Sequence, residues 1–593
     1  MEELRKAARE SLQQQPDSHD LPAITLPDNI ALPDSLDSLW QDLSSRRSKS
    51  DAETSEDLLV AQGFLDKWSS KSLSDRDEGV LNYLYVWSSR AALPGPVFGD
   101  ISDPEGISEE KKRIIKTSRV KSTIAISVIS SLATLLPIEK AADKPDIVIA
   151  LASFMFDNDP WTTNTGFTKA REALQSFTAI SRAEGGLSVW SIVEQVLKER
   201  IKPLFAKTRN PAITDAGRKN FHPVPLTRFD TSILDPESKP WKVHDPYATT
   251  VFEWVIAQYH SSDKEYLERH FPLLIPPTLS LIDDENLAYK SRGCNILLQL
   301  LKPIKESESD ILRRTNLSSV FEDAIKQCFF SLPTITPEDD SIRLLEVAYP
   351  ALLSVLKTAY QLPTVPTDKK ADDRNTYITG VIRILRDHII PSFHHISSTN
   401  TTSTASFASF PYPRLSTLLV NQLRNVLPEL GIHTTKYLQE IIPVLYSTLS
   451  NPFGPAHVPL LLASVAAMRA VILNAHPRLW RWRGEILGGV CACWVYAVEE
   501  EGEIAERAEK TRELESDKSA GEALGMLKKE LKGVVYLLKL ALENPVDAEG
   551  DDGQLDAKER TGNEVKELVD ADDVLRELLL GDIDPEDGSF FGC

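Results

Sequence analysis

Apolar positions recur at helical spacing along most of the chain, and the pattern is clearest between residues 271 and 301. There Phe271, Leu274, Ile275, Leu279 and Ile282 form one stripe. Asp283, Asp284, Glu285 and Asn286 interrupt it, and Tyr289, Ile296, Leu297 and Leu300 resume the period. The spacing predicts a helix, a short polar turn and a second helix. Each helix carries a single apolar stripe, so the pair cannot bury its surface alone and needs similar pairs stacked on it. The same period runs over 55–93, where Pro94, Gly95 and Pro96 stop it, then over 108–136, 146–156, 168–183 and 187–205. Beyond residue 247 it continues through 318–332, 342–359, 375–393 and 415–430. Three strongly apolar helices are expected over 437–449, 458–475 and 478–498. Alternation of the strand kind is not found between turn signals. The predicted fold is all-α, a superhelical solenoid of paired helices.

The breaks in the pattern divide the chain. Residues 1–54 read as a flexible leader that opens with a polar or amphipathic helix over 1–15, is rich in Pro, Ser and Asp from 12 to about 50, and has room for one docking helix at the apolar patch of Leu36, Leu39 and Trp40. Residues 55–207 carry the N-terminal helical pairs and 247–498 the main run of repeats. Between them, 208–246 lacks helical period over a length unusual inside a compact protein. This loop carries Phe221, Phe229 and Trp241, so it either lies packed along its own helices or presents an aromatic anchor to a partner. The Ser/Thr run over 397–406 reads as an excursion. Residues 499–523, the charged connector, read as a solvated helix or a mobile link, and 524–545 as a capping helix. The last segment, 546–593, holds sixteen acidic residues against four basic ones and is expected to be a disordered acidic tail. Within it VLRELLL, 574–580, is able to fold against a partner's groove.

Composition narrows the partners. The 593 residues are 42% apolar, enough for a sizeable core, and 66 Lys plus Arg against 87 Asp plus Glu give a net charge of −21. An acidic surface argues against nucleic acid as the main ligand. The N-terminal residues lack the layout of a signal peptide. The apolar run over 124–136 is broken by Ser127, Ser130, Ser131 and Thr134 and is shorter than the roughly 20 residues of a membrane span, so no membrane segment is expected. Five scattered cysteines suit reduced thiols, and the chain is expected in cytoplasm and nucleus.

Candidate chemistry changes little. Phosphate-cradling glycine loops, HExxH and GxSxG are missing from the sequence. Cys491 and Cys493 stand two apart on an apolar helix and so face nearly opposite ways, which suits buried thiols better than a metal site. His388, His394 and His395 have no cysteine or carboxylate at ligand spacing and read as surface or capping residues. Asp582, Asp584, Glu586, Asp587 and Gly588 depart from a calcium loop, with Cys593 at the position of the bidentate Glu. The carboxylate pairs Asp283/Asp284 and Asp339/Asp340 fall at turns or helix starts, where they cap or favour the dipole. No catalytic residue, metal or cofactor is expected, and function has to come from partners.

The pair at 271–301 resembles a HEAT repeat, with Pro272, Pro276 and Pro277 in its first helix, Asp284 at its turn and Lys290 six residues on. NPAITDAGRK (210–219), KPWK (239–242), IPPTLSLIDDENLAYKSRGCNILLQLL (275–301) and ILNAHPRLWRWRGEIL (472–487) are similar to segments of the TELO-two-interacting protein two family. The similarity spans about 55–545. His476 stands where that family more often has Trp. The resemblance implies a HEAT-type, armadillo-like solenoid and a non-catalytic adaptor, the smallest subunit of the Triple-T (TTT) co-chaperone complex. It further implies two sister subunits, the large one contacted most directly, the heat-shock-protein-90 machinery, and phosphatidylinositol-3-kinase-related kinases as clients. Under it Lys239, Trp241 and Lys242, with Arg478, Trp480, Trp482 and Arg483, are expected to contact a partner or support an interface. The competing expectation is that these tryptophans fill gaps between helices. Another HEAT-type interaction protein, such as a nuclear-transport receptor, is the alternative class.

Overall fold

A computed structural model describes residues 2–13, 33, 35–45, 50–68, 74–99, 108–183, 187–223, 238–360, 371–398, 411–510, 515–544 and 550–581. The chain divides into two compact units, Met1–Asp283 with Ile296–Val320, and Asp284–Asn295 with Phe321–Cys593. The described residues are all-α apart from one isolated antiparallel bridge, Ile213 to Lys219.

The first unit opens with α1 (Glu2–Gln13) and α2 (Leu36–Ser45), helices at the amphipathic start and at the docking patch of the leader, and both are packed down. The reason is a small buried seam of Leu4, Ala8, Leu36, Leu39 and Leu43 and a buried ion pair. Arg5 donates to Asp57 at 2.9 Å and to Asp42 at 2.6 Å, and Arg9 grips Glu56 at 2.6 and 3.0 Å. Residues 14–32, the proline-rich part, lie outside the described residues. Two capped helices follow. Ser50 and Glu53 form a capping box on α3 (Asp51–Lys67), and Ser74 and Asp77 form one on α4 (Asp75–Ala92). Ser108 caps the long α5 (Glu109–Leu135), whose Ile124, Val128, Ile129 and Leu132 are buried. Next come α6 (Lys144–Ala152), α7 (Asn164–Ala183), α8 (Leu187–Gln195) and α9 (Lys202–Phe205). A wide π turn over Val196–Ile201 joins the last two: the Lys202 N–H bonds Leu197 O, five residues back. That register accommodates Pro203, which has no N–H and would crowd the carbonyl four residues behind it.

The first unit ends with α10 (Pro240–Val243), α11 (Ala248–Ala257), α12 (Lys264–Ile282) and α14 (Ile311–Arg314). Between α12 and α14 runs α13 (Leu287–Glu306), whose first turns group with the second unit and whose remainder groups with the first. Phe271, Leu274, Ile275, Leu279 and Ile282, the stripe of α12, are buried, as are Ile296, Leu297 and Leu300 of α13.

From α15 (Ser318–Lys326), whose first three residues group with the first unit, the second unit continues through α16 (Glu338–Ala359), α17 (Ala371–Arg383) and α18 (Ile390–Ser398). The last two are again joined by a π turn, Ile384–Ile389, just ahead of Pro391. Lys357 of α16 and Tyr377 of α17 both reach Glu429 at 2.5 Å on α19 (Pro413–Leu430). The three apolar helices are α20 (Leu438–Leu449), α21 (Val458–Ala475) and α22 (Arg483–Lys510). The stretch 454–507 is apolar enough over one window to cross a membrane, but 67% of that window is buried inside the protein. Its apolar side chains serve the core.

Two expectations at the C-terminus are corrected. The helix α23 (Glu515–Glu543) starts earlier than the expected cap at 524, while the charged residues from 499 continue α22 to Lys510, exposed or half-buried as far as Arg507. The acidic tail is also folded over part of its length, as α24 (Gly550–Ala571) and α25 (Arg576–Leu580). Ala557, Thr561, Val565 and Val569 recur every fourth residue and are buried, so a thin apolar seam holds α24 despite its charge. Residues 582–593, with the aspartates weighed as a calcium loop, lie outside the described residues, as do 399–410 of the Ser/Thr run.

Candidate interaction surfaces

The irregular loop of the first unit is built around three docking points. In NPAITDAGRK the bridge between Ile213 and Lys219 closes a tight turn, with Gly217 at φ +62°. A Cβ at Gly217 would lie 2.7 Å from the Pro272 Cα, so the position needs glycine both for its backbone and for the close approach to α12. Asn210 donates to Asp283 at 2.6 Å, and Ser280 donates to Thr208 O at 2.9 Å. Lys219 reaches Ser319 at 2.8 Å, and its N–H bonds Thr315 O at 3.0 Å. The loop is thus fastened to the start and end of neighbouring helices.

KPWK is the second part of the same device. Trp241 is wholly buried, its ring stacked on Phe205 at 5.0 Å and 10°, and its indole N–H donates to Thr208 at 3.3 Å. The side chain has no exposed surface and fills the space between helices. Lys239 and Lys242 are half-buried on either side. The carbonyls of Lys242 and Val243 press on Gly99, where a Cβ would come within 2.7 and 2.5 Å of them.

Deeper in this unit lies a polar-aromatic cluster that the sequence did not reveal. Trp190 stacks on Tyr266 at 4.9 Å and lies 4.9 Å from Tyr259, and the Arg182 guanidinium sits 5.7 Å over its ring. His270, 1% exposed, shares a hydrogen bond of 2.9 Å with the Tyr259 hydroxyl, while its Nε2 stands 3.9 Å from Glu194, beyond hydrogen-bond reach. Burial pushes the His270 pKa down, with Glu194 pulling the other way. Glu194 itself is held below the usual carboxylate range by its hydrogen bond from Lys198. The only hint in the sequence would have been a histidine on the apolar stripe of α12.

The second group of expected contact residues falls on the turn between α21 and α22. His476–Trp482 winds as a 3₁₀ turn with Leu479 buried; Arg478 and Trp480 are exposed and Trp482 is half-buried. Arg483 lies 4.1 Å over the Trp480 ring and forks onto Glu564 of α24 at 2.8 and 2.7 Å. That hydrogen bond lowers the pKa of Glu564. The structure therefore brings Trp480 and Arg483 together and gives Arg483 a partner within its own chain. Further along α22 the buried Trp494 donates its N–H to Val574 O at 3.0 Å, and Lys528 and Lys532 of α23 stand 5.4 and 5.6 Å from its ring. The signal for this face was present as lysines four apart on an amphipathic helix.

The remaining candidates are quiet. Cys493 is buried, its thiol pushed up to about 12, and Cys491 is raised to about 11. Cys294 is raised by its hydrogen bond with the Cys328 thiol and by burial. His388 packs 4.5 Å from Phe329, and His394 and His395 are exposed. Asp339 pairs with Arg414 at 2.6 Å, and Asp284 accepts the Asn286 N–H at 2.9 Å. Among the described residues no group of three or more His, Cys, Asp or Glu is placed to hold a metal ion.

Paired helices with buried apolar stripes and a long loop fastened across helix ends define a class: an all-helical protein built from stacked helix pairs. The chain belongs to the Tti2 family, whose model matches residues 147–456 and so takes in both docked segments of the loop and the pair α12 and α13. No curated protein matches the chain. Among solved structures it is similar to the crystal structure of the Rif1 N-terminal domain from Saccharomyces cerevisiae, with 10% identity and a TM-score of 0.29. The match covers 92% of this chain and 53% of the solved one, so the chain spans about half the length of that structure.

Proposed function

We propose that this chain is a non-catalytic scaffold subunit of the Triple-T co-chaperone complex. In that role it joins two sister subunits, the large one most directly, and assists heat-shock-protein-90-dependent maturation of phosphatidylinositol-3-kinase-related kinases in cytoplasm and nucleus. The observation that carries this reading is membership of the Tti2 family over residues 147–456. The physical character of the chain fits it: buried tryptophans and fastened loops make rigid helical faces, and stacked helical pairs need capping or a partner at their ends. In this reading Trp241, Lys239 and Lys242 support a surface from within, while Trp480, Trp482, Arg478 and Arg483 lie at one. Depletion of the chain from its native cells tests the proposal. The steady-state amounts of the client kinases are expected to fall several-fold with their messages unchanged, and to recover with the full-length chain. Kinase amounts that stay constant through depletion contradict it.

A further inference from the structure

We propose that the face of α22 and α23 bearing Arg483, Trp494, Lys528 and Lys532 is a docking surface for an acidic amphipathic helix of a partner protein. Residues 557–581 of this chain occupy the face as an intramolecular stand-in. The seated segment displays the chemistry the face selects. Glu564 takes the fork of Arg483, Glu577 pairs with Lys532 at 2.9 Å, and Lys539 donates to the carbonyl of Leu579. Arg483, Lys532 and Lys539 thus each meet a carboxylate or a helix-end carbonyl of the tail, the complementarity that steers an acidic helix to a basic strip, while Lys528 pairs with Glu501 of α22 at 2.6 Å.

The stand-in is a poor filler. Its α24 seam consists of Ala557, Thr561, Val565 and Val569, small side chains set against α23. A cleft of about 690 Å³ is lined by Trp494 and Val498 of α22 and otherwise by the tail itself, whose Val574 and Leu580 remain 44% and 51% exposed; Trp494 is wholly buried. On α23 the exposed Met526, Tyr536 and Leu540 form a second row, roughly a quarter turn from the lysine row. A partner helix with the same charge pattern and larger apolar side chains gains area that the tail leaves uncovered, and takes its place. The ordering cost is low for the tail, because it is already tethered to α23, and this allows a thin seam to hold it closed until a partner arrives. The inference stands apart from the identity of the sister subunits, since it rests on the contacts of this chain with itself.

The test uses the full-length chain and a labelled peptide of residues 557–581. In wild type the tail competes, so the peptide binds weakly. Glu564→Lys with Glu577→Lys sets like charges against Arg483 and Lys532 and loosens the tail; the peptide is then expected to bind at least about tenfold more tightly. Adding Arg483→Ala and Lys532→Ala to the loosened chain should abolish that gain. Amide exchange on the wild-type chain gives an independent reading, with 557–571 exchanging far faster than α21. Three results would overturn the proposal: no gain in peptide affinity on loosening, a gain that survives removal of Arg483 and Lys532, or tail amides as protected as those of α21. A loosened chain that forms a tail-swapped dimer in light scattering would assign the face to a second copy instead.

Discussion

Trp241→Ala empties the space against Phe205 and leaves the Thr208 hydroxyl without its indole donor. Truncation of a wholly buried tryptophan is expected to cost about 3–5 kcal/mol, read as a lowered unfolding midpoint of the first unit. Trp480→Ala, at an exposed ring, is expected to change stability by no more than about 0.5 kcal/mol. Equal effects would show that the burial of Trp241 is not what holds the loop. His270 gives a pH dependence. Its folded pKa lies below the ordinary 6.5 because burial disfavours the charged imidazole. The unfolded chain therefore binds the proton more readily, and the stabilising contribution is complete above about pH 6.5 and lost as the pH falls toward the depressed folded value. Between about pH 7 and 5, the urea midpoint of wild type should fall more steeply than that of His270→Gln. Parallel slopes would remove His270 as the cause.

At the scale of elements, the helix pair α12 and α13 was legible because its large apolar residues repeat without interruption and its turn is marked by four polar residues. Leu297→Asp places a charge at a position with no exposed surface and is expected to cost about 3 kcal/mol or more, melting α13 locally. Wild-type thermal stability in this variant would show that the core is elsewhere. What fastens the leader's helices, and the fold of the tail, were not legible for a shared reason. Their composition is dominated by charge, proline and serine, while the residues that hold them are few: Leu4, Ala8 and Arg5 at one end, Ala557, Thr561, Val565 and Val569 at the other. Net charge predicts solvation on average and cannot register a seam four side chains long. The irregular loop shows the converse. The missing helical period matches the irregular course of 209–223, whereas 240–243 form the short α10 and 224–237, with Phe229, lie outside the described residues; whether Trp241 faced in or out depended on Gly99, Phe205 and Thr208, distant or unremarkable in sequence.

At the scale of the whole molecule, the all-α class and the family were readable from spacing and from four short segments, and neither names a contact surface. A scaffold acts through faces, and faces depend on which cations are already occupied. Arg483 could be picked out in the sequence as an arginine beside tryptophans; that its carboxylate partner comes from Glu564, 81 residues away, could not. The central claim is that this chain is a structural subunit of a larger assembly. Co-expression of the full-length chain with its two proposed sister subunits, followed by native mass spectrometry, tests it most directly. The expected result is one stable complex that contains all three chains and loses this one when the large subunit is omitted. A chain that stays alone at micromolar concentration with both sisters present would contradict the account.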